Sequence, residues 1–295
     1  MGIFYGLMAA IFWGLGDFCA RYATHRIGTY RTLCYLQFVG IFGLTIYLLV
    51  TGELQHMFAQ ASWLPWLWAL LAALLNIISS LALYRAFQVG TLSLVSPIAA
   101  SYAVVTVVLA LLSGEVLTGL QNLAIVLVLL GVIACSTAPT SAGGRERRLW
   151  TLPRRGASSR GILLALLASL GYGLTFWVLG FLVTPGLGNI TPVWFIRIVT
   201  PFVLLLCSPL VKQPLTFPRG RVWLLLLGTG FFDTLAYIAY TSGMQPGQVS
   251  LVTMLSSLYS AVTVLLAWLF LRERLRLTQW LGILVIFVGI VLVNL

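Results

Sequence analysis

The chain is built of long apolar runs separated by short polar ones. Ten runs can be drawn, at about 3–23, 31–50, 63–86, 92–112, 119–138, 161–183, 190–210, 222–243, 248–270 and 277–295. Each is close to the roughly 20 residues that a helix needs to cross a bilayer. Most connections are short. The exception, 139–160, shifts to Gly, Ser, Pro and Arg and reads as a linker. The pattern predicts an all-α polytopic membrane protein of ten transmembrane helices. Its first five-helix repeat is expected at 1–138, its basic linker at 139–160 and its second five-helix repeat at 161–295.

The two halves repeat. With Asn76 set against Asp233, the run Gly90-Thr-Leu-Ser-Leu-Val falls on Gly247-Gln-Val-Ser-Leu-Val. Tyr102 then matches Tyr259, and Val105-Thr106-Val107 matches Val262-Thr263-Val264. Glu115 matches Glu273 after a one-residue slip, and Trp13-Gly14-Leu15 matches Tyr172-Gly173-Leu174. An odd number of spans per half makes the second copy inverted in the membrane. Inverted repeats are a transporter signature, with substrate bound near the midplane between the copies.

Composition narrows the class further. Of 295 residues, 60% are hydrophobic and 8% charged, against about 25% charged in soluble domains. An ordinary soluble enzyme, a disordered chain and a disulfide scaffold are excluded. The net charge is +11, but the bases stand between apolar runs, so nucleic acid is not an expected partner. Cys19, Cys34, Cys135 and Cys207 form no C-x-x-C pair, and His25 and His56 are far apart, so neither a metal nor a cofactor is expected. The first apolar run has no basic stretch before it and is read as a retained span.

The bases are sorted to one face. Arg21, Arg26 and Arg31 flank the first connection, and Arg145, Arg147, Arg148, Arg154, Arg155 and Arg160 lie in the linker. Lys212, Arg219 and Arg221 precede the eighth run, and Arg272, Arg274 and Arg276 precede the tenth. The positive-inside rule puts this face in the cytoplasm and both termini outside, in a prokaryotic plasma membrane.

At this point the sequence resembles the EamA-type transporters of the drug/metabolite transporter superfamily. Phe12-Trp13-Gly14, the run from Ser250 to Val264, and Glu273-Arg-Leu-Arg-Leu-Thr-Gln-Trp-Leu-Gly282 carry the resemblance. It implies ten helices in two inverted repeats and carrier-type transport of small metabolites by alternating access. The family is usually drawn with cytoplasmic termini, opposite to the charge count. A second departure is Gln37-Phe38, where relatives frequently have Arg-Phe.

Two acids, Asp17 and Asp233, fall inside spans, and Arg197 is the one base deep in a span. A charge at a helix centre costs roughly 2.5–3.5 kcal/mol on insertion scales, so each is a site candidate. Asp233, Tyr237 and Tyr240 share a helix face at i, i+4 and i+7. Trp13 and Asp17 stand one turn apart. The expected substrate-binding set is Trp13, Asn76, Tyr102, Tyr172, Arg197, Asp233, Tyr237, Tyr240 and Tyr259. Aromatic walls with one or two carboxylates suit an organic cation or amine. If Arg197 shares the cavity with Asp233, a zwitterion such as an aromatic or neutral amino acid fits better. Burial favours the neutral form of a carboxylate, which makes Asp233 and Asp17 the candidates for a coupling proton. The structural alternatives are polar glue between helices for Asp233 and an ion pair with Arg21 for Asp17. A passive channel is the competing function. No nucleotide or catalytic motif supports an enzyme. The expected partners are a small-molecule substrate, protons and the lipid bilayer, with a monomer as the working unit.

Overall fold

The computed structural model describes residues 1–52, 62–90, 92–136, 159–211, 215–245, 247–271 and 277–293. The linker arginines from Arg145 to Arg155, Lys212, Arg272, Arg274, Arg276 and Glu273 lie outside them. Every regular element among the described residues is helical. The first half contains α1 (Gly2–Ile27), α2 (Thr29–Thr51), α3 (Trp63–Val89), α4 (Leu92–Ala100), α5 (Tyr102–Leu112) and α6 (Gly119–Ser136). The second contains α7 (Ser159–Val178), α8 (Thr191–Val211), α9 (Val222–Gly243), α10 (Val249–Ser256), α11 (Tyr259–Leu271) and α12 (Leu277–Val293). A π turn at Leu179–Val183 and a short α turn at Thr184–Leu187 extend α7.

Helix is what a bilayer permits, because no water is present there to pair a free backbone group. Eight stretches are long and apolar enough to cross a membrane by length and composition, so the chain is an integral membrane protein. α6 and α12 are the remaining apolar helices and pack chiefly on each other. Gly28 alone joins α1 to α2. It closes α1 on Thr24 O at 2.9 Å and has φ 86°, a region open to glycine at little cost.

The packing is symmetric under exchange of the halves. α1 lies on α9, α10 and α11; α7 lies on α3, α4 and α5. α2 touches α8 and α9, while α8 touches α2 and α3. The symmetry reaches single residues. A Cβ on Gly14 would meet Val262, and come within 3.1 Å of Tyr259 O. A Cβ on Gly173 would meet Val105, the repeat match of Val262, and come within 3.1 Å of Tyr102 O. These glycines therefore bring backbones close, the common use of small residues in membrane interfaces.

The expected continuous spans at 92–112 and 248–270 are each broken in two. One break falls at Ser101 and the other at Ser257-Leu258, just before the repeat-matched Tyr102 and Tyr259. In both, serine hydroxyls donate to the carbonyl three residues back. Ser101 Oγ bonds Ile98 O at 2.7 Å, Ser256 Oγ bonds Thr253 O at 2.8 Å and Ser257 Oγ bonds Met254 O at 2.6 Å. Such back-bonding competes with the helix ladder and bends it. Pro97 lacks an N–H and weakens the first span further. Hydropathy cannot register either effect.

The packed interior forms two clusters. One holds Ala20, Leu33, Leu36, Leu83 and Phe87, near the connections that carry the bases. The larger holds Trp13, Phe176, Tyr240, Met254 and Leu255 and reaches the opposite face.

Candidate functional site

α9 brings Asp233 to the middle of the protein, where α1 passes close behind it. Gly16 marks the approach: a Cβ there would lie 3.6 Å from Asp233 N, in ordinary contact. One turn away, Trp13 Nε1 donates to Asp233 Oδ1 at 3.2 Å. Arg197 Nη1, from α8, donates to Asp233 Oδ2 at 2.7 Å and to Gln37 Oε1, from α2, at 2.9 Å. Both carboxylate oxygens of Asp233 are thus engaged, one by a cation.

Arg197 is only 1% exposed. Its stem runs past Gly40, where a Cβ would come within 2.9 Å of its Cδ. Its Cζ lies 5.0 Å from the centroid of the Tyr237 ring, within cation–π range. Asn76 Nδ2 in turn donates to the Tyr237 hydroxyl. Arg197 Nε and Nη2 are buried and have no hydrogen-bond partner. Two parallel donors of that kind match the two oxygens of a carboxylate.

These groups face a cavity with about 490 Å³ of space outside atoms, open solvent included. Among the residues named from the sequence, Trp13, Asp17, Asn76, Tyr102, Tyr172, Arg197, Asp233, Tyr237 and Tyr259 line it. Asp17 makes no ion pair with a described residue, Arg21 included. Tyr102 and Tyr259 stack with centroids 6.2 Å apart and planes 13° apart, and Tyr172 stacks on Phe176 at 5.8 Å. Tyr172 and Ser80 share a hydrogen bond of 2.9 Å between hydroxyls. Glu115, the described acid of the α5–α6 connection, lies elsewhere.

Tyr240 is a correction. It is fully buried and does not line the cavity. Its ring packs 4.5 Å from Phe176 and 5.3 Å from Trp13, and its hydroxyl shares a 2.6 Å bond with Thr253. Seven helical residues span about 10 Å. Tyr240 is on the same face as Asp233 but too far along the axis, packed into an aromatic layer with Trp13 and Phe176.

Sequence reasoning missed Gln37, Ser80, Tyr84 and Phe176, which also line the cavity. Ser80 and Tyr84 follow Asn76 at i+4 and i+8, so the face periodicity that extended Asp233 would have found them on α3. Phe176 follows Tyr172 as Asp17 follows Trp13, and the repeat alignment points to it. Gln37 was visible only as a departure from the family pattern. Among the described residues, no group of three His, Cys, Asp or Glu could hold a metal.

Comparison with known proteins bears on the whole chain. The model of the EamA-like transporter family matches residues 1–137 and 159–295, one match for each half. An uncharacterised protein of Methanocaldococcus jannaschii is 30% identical over 135 residues, which are 45% of this chain and 95% of that protein. A relative about the length of one half is what a duplicated unit leads one to expect. A solved crystal structure superposes with a TM-score of 0.73 at 16% identity, covering 99% of this chain and 96% of its own. At that identity the likeness concerns the fold. The twice-matched family model covers nearly every residue that forms the fold and the cavity, and the chain belongs to the EamA-like transporter family.

Proposed function

We propose that the protein is a secondary carrier that moves a small amine-bearing metabolite by alternating access. In this reading ten spans form two inverted repeats, and the cavity between them is the substrate site. The basic face is cytoplasmic, following the arginine bias. One observation carries the proposal: Asp17, Arg197 and Asp233 share one aromatic-walled cavity between the halves. Arg197 cancels the charge of Asp233, so Asp17 is the carboxylate left to meet an amine. Asp17 and Asp233 are the groups to test for a coupling proton.

A second reading is favoured by the free Nε and Nη2 of Arg197. These donors would take a carboxylate while Asp17 takes an ammonium, which describes a neutral or aromatic amino acid. Purified protein in proteoliposomes tests both. Saturable flux of amines or amino acids supports a carrier; non-saturating, ohmic current points to a channel. A thermal-shift panel of quaternary amines, polyamines and amino acids separates the substrate classes. Stabilisation by anionic metabolites alone would overturn the amine site.

A further inference from the structure

Glu115 stands apart from the cavity and yet is only 8% exposed. It follows Gly114 at the end of α5, where its N–H closes the helix on Ala110 O at 3.1 Å. Its carboxylate reaches across to the first turn of α10. Ser250 N lies 3.1 and 3.2 Å from its two oxygens, and Ser250 Oγ donates to Oε2 at 2.9 Å. A helix N-terminus has unpaired N–H groups and a positive dipole end, both of which favour a carboxylate. The contact thus fastens α10 to the α5–α6 connection.

α10 is built to carry something polar. All eight of its residues are buried, and Ser250, Thr253 and Ser256 follow one another at three-residue spacing. Each bonds to a different neighbour. Ser250 meets Glu115, Thr253 meets the Tyr240 hydroxyl at 2.6 Å, and Ser256 meets the Tyr102 hydroxyl at 2.7 Å. Tyr102 lines the cavity. A row of hydroxyls therefore runs from the cavity to Glu115 on the face opposite the bases. In this structure the aromatic layer of Trp13, Phe176 and Tyr240 closes it.

α10 is also bounded by two weak points. Gly247 precedes it with φ 76°, and the Ser257-Leu258 break follows it. Across from its first residue, the π turn of α7 sets Gly180 against Val249 and Met244. π turns often mark functional positions in helices. The chemistry of the fastening suits a contact that must break. Glu115 makes no ion pair among the described residues. Water can replace amide and hydroxyl donors, whereas separating Arg197 from Asp233 leaves a fully buried cation without its counter-charge.

We propose that Glu115 is the latch of a gate on this face, and that its release opens the hydroxyl row of α10 as the substrate's route between cavity and solvent. The inference rests on the alternating-access reading, but its test needs no substrate. Cys19, Cys34, Cys135 and Cys207 are first replaced by Ala, and Thr253→Cys then reports access to the row. A membrane-impermeant thiol reagent is applied from the Glu115 face in vesicles of known orientation. The expected result is slow labelling with Glu115 intact and about tenfold faster labelling with Glu115→Gln, a shift of one decade in the open population. Ser250→Ala, which keeps the backbone donor, should accelerate labelling less. Equal labelling rates with and without Glu115, in protein that elutes as folded, overturn the latch and leave Glu115 a structural cap. If Glu115→Gln fails to fold, the Ser250→Ala comparison decides in the same way. Faster labelling in a protein without saturable flux would keep the latch and overturn the carrier.

Discussion

The two halves share a fold but not a chemistry. At matched positions, the second half has Asp233 where the first has Asn76, and Phe176 where the first has Asp17. α8 supplies Arg197, and α2, which packs against it, supplies neutral Gln37. The backbone contacts obey the repeat down to Gly14 and Gly173, while the cavity's charges do not. Duplication thus supplies a two-sided frame. Substrate recognition needs a cavity whose two walls differ, because a small metabolite with one ammonium or one carboxylate has no matching twofold symmetry.

The largest effect is expected from removing one partner of the ion pair. Arg197→Ala leaves Asp233 with Trp13 as its remaining donor and no cation, and breaking a buried pair costs roughly 3–5 kcal/mol. Thermal unfolding in detergent should show a large loss of Tm and little folded protein. The double variant Arg197→Gln with Asp233→Asn gives the second half the neutral residue types of the first. It should recover most of that Tm while transport stays absent. A double variant no more stable than Arg197→Ala would break the comparison, because the charges would then be needed for folding itself.

Next in size is Asp17→Asn. Asp17 is the cavity acid outside the ion pair, so amine affinity should fall about tenfold or more, equal to at least ~1.4 kcal/mol, with Tm nearly unchanged. Flux measured with and without a pH gradient, in Asp17→Asn and in Asp233→Asn, assigns any proton. Unchanged gradient dependence in both excludes these carboxylates as its carriers.

Gly14→Ala and Gly173→Ala test the symmetric part of the molecule. Each adds a methyl against a matched valine and a matched carbonyl, with an expected loss of roughly 1–3 kcal/mol for overpacking. The two losses should agree closely. A large difference would mean that the halves are held together unequally.

The smallest effect separates two tyrosines on one helix. Tyr240→Phe loses only its bond to Thr253, on the order of 0.6 kcal/mol in membrane proteins, and should leave ligand affinity unaltered. Tyr237→Phe loses the Asn76 bond inside the cavity and should change affinity at similar stability. Equal effects on affinity would return Tyr240 to the site.

Much of this was readable before any coordinates. The apolar runs located the helices, and self-comparison located Asn76, Asp233, Tyr102 and Tyr259. The cost of intramembrane charge singled out Asp17, Arg197 and Asp233, which the fold brings to one cavity. What stayed hidden depends on depth and partner choice. Tyr240 has the right face and the wrong height. The breaks at Ser101 and Ser257 arise from hydroxyls bonding their own backbone, which a hydropathy window averages away. Glu115 shows in the sequence only as the repeat match of Glu273, because its partner, Ser250, is distant in sequence. Gln37 needed Arg197 beside it before its carbonyl had a role.

The ion pair also constrains how the protein is made. Arg197 and Asp233 lie in consecutive spans, α8 and α9, only 36 residues apart. A lone charge entering the bilayer costs roughly 2.5–3.5 kcal/mol. Inserted together as a hairpin, the two helices enter already neutralised. α2 and α1 have by then been synthesised, and with them Gln37 and Trp13, the remaining partners. A ribosome that stopped between α8 and α9 would leave an arginine in lipid with no acid to meet it. The chemistry that shapes the cavity therefore also ties α8 and α9 into one step of membrane assembly.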